Sequence, residues 1–322
     1  MDRHCEESRC SENMPLKKVG GLAVSALIGL LLVTVVPAYG PAINLKLSGS
    51  GPGCPWPNVF SQTGYAQRLH EAISENRRGI RNAATDPTLP IDRWAVPGFR
   101  EFWIPRNGSD LDGKELLLYL ISDHAVLAQQ LGDDGVRPGD IVIDVGAHVG
   151  TFADRALRRG ARKVIALEPD PLNRECLSRN FLKEVADQRL VIVPQGAWST
   201  KGQLTLHQGT HNSGMSSIIH DDGGAAFQIE VTTIDEIVQS LGLPRVDFIK
   251  MDIEGAEREA LKGAADTLRK FRPRMMLDAY HLADDPVVLP KVIRTANPAY
   301  REKCGPCEIL SNTLLPHVII FL

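Results

Sequence analysis

Val142-Ile-Asp-Val-Gly-Ala-His-Val-Gly-Thr-Phe152 is the stretch whose reading decides the fold. A short apolar run carrying Asp144 leads into Gly146 and Gly150, and a helical pattern begins at Phe152. Glycines at such a junction let the backbone turn sharply and approach a ligand, and the helix beyond offers N–H groups with no intrahelical partner. Dinucleotide folds seat a pyrophosphate here with G-x-G-x-x-G spacing. In this loop Gly146 is followed by Ala147 and His148, and the next glycine is Gly150. That spacing suits an amino-acid and nucleoside ligand better than a diphosphate.

Outward from this loop, short apolar runs alternate with helical patterns, the mark of βαβ units around a parallel sheet. The runs are Ile141–Val145, Lys163–Leu167, Leu190–Val193, Val246–Met251 and Arg274–Asp278, nearly all apolar, as strands covered on both faces must be. Helices are predicted over Phe152–Arg159, Pro171–Val185, Ile234–Leu241 and Ala256–Lys270. Pro171 suits a first helical position, and Thr233 and Glu236 have capping-box spacing. Cys307–Leu310 and His317–Leu322 are predicted to pair as an antiparallel hairpin closing the sheet edge.

The strand ends carry the chemistry. Leu167-Glu-Pro-Asp170 puts Glu168 where a carboxylate grips both hydroxyls of a ribose, with Asp170 the better helix cap. Gln195-Gly-Ala-Trp198 ends the third strand, where Trp198 borders a base or serves the core. Phe248-Ile-Lys-Met-Asp-Ile-Glu-Gly-Ala-Glu257 brings Asp252 and Glu254 to the switch-point crevice, to hold an ammonium, orient an acceptor or take a proton; capping is the plainer role for Glu254 and Glu257. His281, after Asp278-Ala-Tyr, faces the same crevice, and histidine titrates near neutrality. Asp252, Glu254 and His281 are all of ligand type, yet their spacing demands no metal and none is expected.

Bulk properties bound the rest. The chain has 322 residues, 43% of them hydrophobic, enough for a sizeable core, and a formal net charge of -3 with no basic stripe, which argues against nucleic acid. Val19 to Val36 carries no charge and follows Lys17 and Lys18. About 20 apolar residues span a bilayer, so residues 19–39 read as a single-pass anchor, with a cleaved signal peptide as the alternative. The flanking lysines place the N-terminus in the cytosol and the bulk of the chain on the lumenal or extracytoplasmic side. The organisation expected is a polar tail (1–18), the anchor (19–39), a Gly/Pro-rich linker (40–60), a helical covering segment (61–131) and a catalytic domain (132–322). Within the cover, residues 84–110 read as irregular and Lys114–Leu131 as an amphipathic helix. Cys304-Gly-Pro-Cys307 has the letters of a redox motif but precedes a strand, so a structural disulfide or plain thiols fit better. Oligomeric state is not legible.

The motifs VIDVGAHVGTF, ALEPDP, GAWSTKG, NSGMSS, TTIDEI, KMDIEGAE and DAYH occur in this order. With them the chain resembles the FkbM-type methyltransferases, over about residues 120–322. The resemblance implies a Rossmann-like, seven-stranded, mostly parallel α/β sheet of the class I type. It also implies S-adenosylmethionine as donor and a hydroxyl of a small-molecule, sugar or lipid acceptor as target. By it Gly146, Gly150 and Glu168 bind the donor, and the fuller donor set expected is Asp144, Gly146, His148, Gly150, Thr151, Glu168, Gly196, Ala197, Asp252 and Glu254. NSGMSS (residues 212–217) is expected near the acceptor, and the base is expected to be His281 first, then Asp252. The rival enzyme reading is an NAD-dependent oxidoreductase, which the glycine spacing opposes. The non-enzymatic rival is an anchored scaffold on a dead fold, which would be expected to lose Gly146, Glu168 or Asp252.

Overall fold

The computed structural model describes residues 36–51, 53–106, 113–132, 135–310 and 312–322. The polar tail and most of the expected anchor, residues 19–35, lie outside them. No helix among the described residues is long and apolar enough to cross a membrane.

Two helices come first, α1 (Val36–Leu47) and α2 (Trp56–Arg77), followed by the strands β1 (Arg81–Thr85), β2 (Ile91–Ala95) and β3 (Phe102–Pro105) and the helix α3 (Gly113–Leu131). The alternating region then gives β4 (Ile141–Val145), α4 (Thr151–Arg158), β5 (Lys163–Leu167), α5 (Pro171–Asn180), α6 (Leu182–Ala186) and β6 (Leu190–Val193). A side unit follows, of β7 (Gly196–Ala197), β8 (Gly202–His207) and β9 (Ala226–Thr232). Then come α7 (Ile234–Ser240), β10 (Phe248–Met251), α8 (Glu257–Lys262), α9 (Ala265–Phe271), β11 (Arg274–Asp278) and α10 (Asp285–Ala296). The chain ends with β12 (Glu302–Cys304), β13 (Cys307–Leu310), β14 (Thr313–Pro316) and β15 (Val318–Phe321).

The main sheet has seven strands in the order β12-β15-β11-β10-β4-β5-β6. From β11 to β6 they are parallel, and β15 runs antiparallel to both β11 and β12. This is the mostly parallel, seven-stranded α/β sheet that the resemblance implies. Successive side chains of a strand face opposite sides, so Val142 joins the core beneath α3 and α4 while Ile141, Ile143 and Val145 join the core beneath α7 to α10. Asp144 falls on the same side as Val142, a carboxylate in a largely apolar layer that it shares with Lys250 of β10. The helix starts follow local chemistry: Asp170 accepts from the N–H groups of Leu172 and Asn173 ahead of Pro171, and Thr233 accepts from Glu236 N–H at 3.0 Å.

Several expectations are corrected. The predicted linker contains most of the helix α1, which begins in the last residues of the expected anchor and has Pro41 inside it, and the start of α2. Packing overrides the Gly/Pro composition there, because Ala42 and Leu45 bury against Cys54, Val59, Cys307 and Leu314. Residues expected to be irregular form the antiparallel sheet β1-β2-β3, with Pro87, Pro90, Pro97 and Gly98 in its turns and Pro105 at the end of β3. The last strand does not pair with Cys307–Leu310. β15 inserts between β11 and β12, while β13 pairs with β14 as a separate hairpin. Gly305 is the pivot: a Cβ on it would come within 2.6 Å of a Val318 methyl. The run expected as one helix over Ala256–Lys270 breaks at Gly263, where a Cβ would lie 2.1 Å from the Trp198 carbonyl oxygen.

Cys307 is bonded to Cys54, not to its motif partner Cys304, whose sulfur donates to Gly53 O at 3.0 Å. The disulfide joins residues 253 apart and ties the start of α2 to β13. Asn58 reinforces it by donating to the carbonyls of Cys304 and Gly305. Cross-linking so long a loop restricts the unfolded chain strongly. Cys54→Ser is expected to lower unfolding stability by about 2–5 kcal/mol in denaturant titration. Reductant is expected to lower the parent protein by the same amount and to leave the Cys54→Ser variant unchanged. A parent protein indifferent to reductant would show that the bond contributes nothing.

Candidate active site

At the carboxyl ends of β4, β5, β10 and β11 the sheet opens into a cavity of about 470 Å³. Its floor is the strand ends, α3 forms one wall, and residues 212–216 of the loop between β8 and β9 form another. Of the residues singled out by sequence, Gly146, His148, Thr151, Glu168, Gly196, Ala197, Asp252 and Glu254 lie on its wall.

The glycine loop is built by close approach. Gly146 has φ +77°, and a Cβ there would stand 2.0 Å from the Asp252 carbonyl oxygen. Leu167 O accepts from the N–H groups of both Gly146 and Ala147, pinning the loop to β5. Gly150 is not on the wall; it has φ +91° and gives way to the Phe181 ring, 2.3 Å from a would-be Cβ. Glu168 accepts from His148 N–H at 2.7 Å and Asp170 N–H at 2.9 Å, one on each oxygen. Burial pushes its carboxyl up to about 7 against those hydrogen bonds. His148 sits at φ +51°, and its Nε2 is 2.8 Å from Ser213 Oγ, joining the glycine loop to residues 212–217. Burial also drives its imidazole down to about 3, so it is neutral.

Asp144 corrects the expectation of direct ligand contact. Its side chain is fully buried behind the wall, with neither oxygen hydrogen-bonded, and Lys250 Nζ is 3.9 Å away. Burial lifts the Asp144 carboxyl to about 7 despite that ammonium. Lys250 is itself buried, 3.1 Å from Gly146 O and 3.4 Å from Asp252 Oδ2. Burial opposes its charge, but Asp252 and then Asp144 hold its pKa well above the usual lysine range. Lys250 thus spans the glycine loop and the acidic loop. The sequence reading passed over it, although a lysine in the middle of a buried apolar strand was the signal.

The acidic loop is equally fixed. Asp252 N–H donates to Val145 O at 3.1 Å, and Ser217 Oγ donates to Glu254 O at 2.7 Å. Glu254 holds φ +53°, the left-handed region that an L residue avoids unless its surroundings impose it. Burial pushes the Glu254 carboxyl up to about 7. Asp252 is also buried, yet Lys250 and His281 hold it below the usual carboxylate range.

His281 is placed differently from the expectation. It is not on the cavity wall. Its Nδ1 is 2.9 Å from Glu257 Oε1, and its Nε2 lies 3.5 Å from Asp252 and 3.7 Å from Glu254. Glu257 also accepts from Ile253 N–H at 2.8 Å. Burial would drive the imidazole down, but Glu257, Glu254 and Asp252 raise it to about 10. A ring protonated at neutral pH has no lone pair with which to take a proton. Asp252, Asp278 and His281 bring three ligand-type atoms within 4.8 Å of one another, with Lys250 Nζ 3.4 Å from Asp252.

Other wall residues went unread. Tyr119, Asp123 and His124 come from α3, Asp278 and Tyr280 from the end of β11, and His317 from just before β15. Asp123 accepts from Tyr65 Oη of α2 and is 3.4 Å from His317 Nε2. Tyr280 stacks on His317 with centroids 5.3 Å apart. Burial and Asp252 push Asp278 well above its ordinary value. Only Asp278 and Tyr280 fall in a motif, DAYH, and three separate segments bring the group together. Trp198 is off the wall and packs against the β7-β9-β8 unit.

Residues 144–302 match the family model described as the methyltransferase FkbM domain. The chain is 24% identical over 204 residues to the hexuronic acid methyltransferase AglP of Haloferax volcanii, across 63% of this chain and 76% of that protein. It is 27% identical over 154 residues to the 2-O-methyltransferase NoeI of Sinorhizobium fredii, across 42% of this chain and 62% of that one. It is also 27% identical over 163 residues to the 31-O-demethyl-FK506 methyltransferase FkbM of Streptomyces tacrolimicus, across 41% and 62%. The latter two are matched over less than two thirds of their length.

Lys250→Met is expected to lower stability by about 3–5 kcal/mol, because it leaves Asp144 buried without a cation and Asp252 with His281 alone. Adding Asp144→Asn is expected to restore part of that loss. Thermal melts of the single and double variants measure both effects, and an undiminished melting temperature in Lys250→Met would remove Lys250 from this role.

Proposed function

We propose, on the premise that residues 144–302 are an FkbM methyltransferase domain, that this chain transfers the methyl group of S-adenosylmethionine to a hydroxyl oxygen of a sugar, lipid or other small-molecule acceptor. The observation that carries the reading is the single cavity in which Gly146 and Glu168 face Asp252 and Glu254. Gly146 lets the glycine loop pack directly against the Asp252 backbone, and Glu168 on the same wall offers a carboxylate for two ribose hydroxyls, so the residues present fit this donor. The oxygen target is supported by two relatives named for O-methylation.

When bound, the donor supplies a methyl group already activated by its sulfonium. Glu168, Gly146, Gly196 and Ala197 would hold it and the acidic loop would position the acceptor, and positioning of this kind would account for most of the rate. Asp252, kept ionised by Lys250 and His281, takes the acceptor's proton. His281 stays charged and, with Glu257, orients that carboxylate. The wall of α3 and residues 212–216 keep water from the reacting atoms.

We place the domain on the non-cytosolic side of a membrane. The lysines before the uncharged run support this, as does a disulfide, since such bonds persist in oxidising compartments.

Calorimetry is expected to give heat with S-adenosylhomocysteine and none with NAD; the reverse would overturn the reading. Glu168 ionises at about 7 in the free protein, so below that pH its protonated form loses one acceptor oxygen and the charge that favours a cationic donor. Donor affinity is therefore expected to fall as pH drops from about 8 to about 6, and Glu168→Gln to bind weakly with a flatter profile. Asp252→Asn is expected to lower kcat by about 10²–10⁴-fold, the usual worth of general-base assistance. A proton acceptor at His281 instead would leave Asp252→Asn near wild-type turnover.

A further inference from the structure

The amino-terminal helices carry an aromatic patch that the cavity does not use. Trp56 and Phe60, one turn apart on α2, stack with centroids 6.2 Å apart, and the Tyr39 ring of α1 meets Phe60 edge-on at 5.4 Å. Trp56 is 41% exposed and Phe60 43%, and Leu47 at the end of α1 is 73% exposed. The opposite faces of the same helices are buried through Leu45 and Val59, so the patch is the outward side of a fixed element. Large apolar groups gathered in the open mark a surface that meets something other than water.

The chain leading into the patch says what that is. No charged residue lies between Lys18 and Lys46, so α1 is the tail end of the uncharged run that begins at Val19. The first turn of α2 carries no acid, and Lys46 is turned away onto Gly51 O at 3.1 Å. Tryptophan and tyrosine pair an apolar body with one polar tip, which favours the level where hydrocarbon gives way to headgroups. We infer that Tyr39, Trp56 and Phe60 sit at the polar–apolar boundary of a lipid bilayer, with α1 and the base of α2 resting on its surface. The contact is apolar, so zwitterionic lipid suffices and salt does not loosen it.

The seat fixes the orientation of the whole domain. The disulfide at Cys54 ties the patch to β13, and Tyr65, nine residues beyond Trp56 on the same helix, reaches Asp123 at the cavity wall. At 1.5 Å rise per residue the cavity wall stands about 14 Å along α2 from the patch.

This inference rests on the membrane placement proposed above but not on methyl transfer. The test uses the full chain reconstituted in phosphatidylcholine vesicles whose acyl chains carry bromine near the headgroup, a short-range quencher of tryptophan emission. The wild-type protein is expected to float with the vesicles at low and high salt and to lose part of its emission. Trp56→Phe is expected to abolish most of that quenching, and Trp94→Phe to retain it. Equal quenching in wild type and Trp56→Phe would overturn the inference, as would a floating but unquenched protein, whose patch would face a protein or solvent. Failure to float would overturn the membrane placement with it. Heat on adding S-adenosylhomocysteine to the same preparation reports the donor site independently.

Discussion

A single buried ammonium holds the two halves of the site together. Lys250 projects from the middle of β10 into the layer beneath α3 and α4, touching Gly146 O and flanked by Asp252 and Asp144. A charge removed from water is tolerated only with partners of opposite sign and directed hydrogen bonds. Lys250 therefore requires Asp144 on the neighbouring strand, the carbonyl of the glycine loop and the first acid of the acidic loop to keep their places. The glycine loop can accept this closeness because Gly146 has no Cβ to strike Asp252 O.

The cavity is rich in carboxyl groups but not uniformly anionic. Glu168 and Glu254 are lifted to about 7 by burial, and Asp278 is lifted well above its ordinary value, while Asp252 is held down, as is Asp123 beside His317. The difference comes from the two cations beside Asp252. His281 belongs to that arrangement as a fixed positive charge, since Glu257 engages its Nδ1 and, through Ile253 N–H, the backbone of the acidic loop. His148 and Glu254, both in left-handed backbone, stand on opposite sides of residues 212–217 and are each tied to them, through Ser213 and Ser217. Such strain survives only where the surroundings impose it, and here it aims two polar side chains into one space.

The segments before the alternating region complete the cavity. α3 supplies a wall, α2 sends Tyr65 to the Asp123–His317 pair, and the disulfide ties the start of α2 to the hairpin that precedes His317. Segments 253 residues apart are thus held together beside the cavity wall by a covalent bond.

By itself the sequence determined the alternating strands and helices, the glycine turn, the acids at the strand ends and the family resemblance. Each of these is local: a period of two or 3.6, a backbone position that tolerates no Cβ, or a carboxylate at a fixed spacing. Only the tertiary structure decided that Asp144 serves Lys250 and not the cavity, that Gly150 yields to Phe181, and that His281 is held protonated. It also decided that β15 inserts beside β11, that Cys307 bonds Cys54, and that residues 81–105 form strands. The reason is common to all of them. A side chain's partner, and through burial its charge, is set by segments distant along the chain, and no window of sequence contains both sides of such a contact.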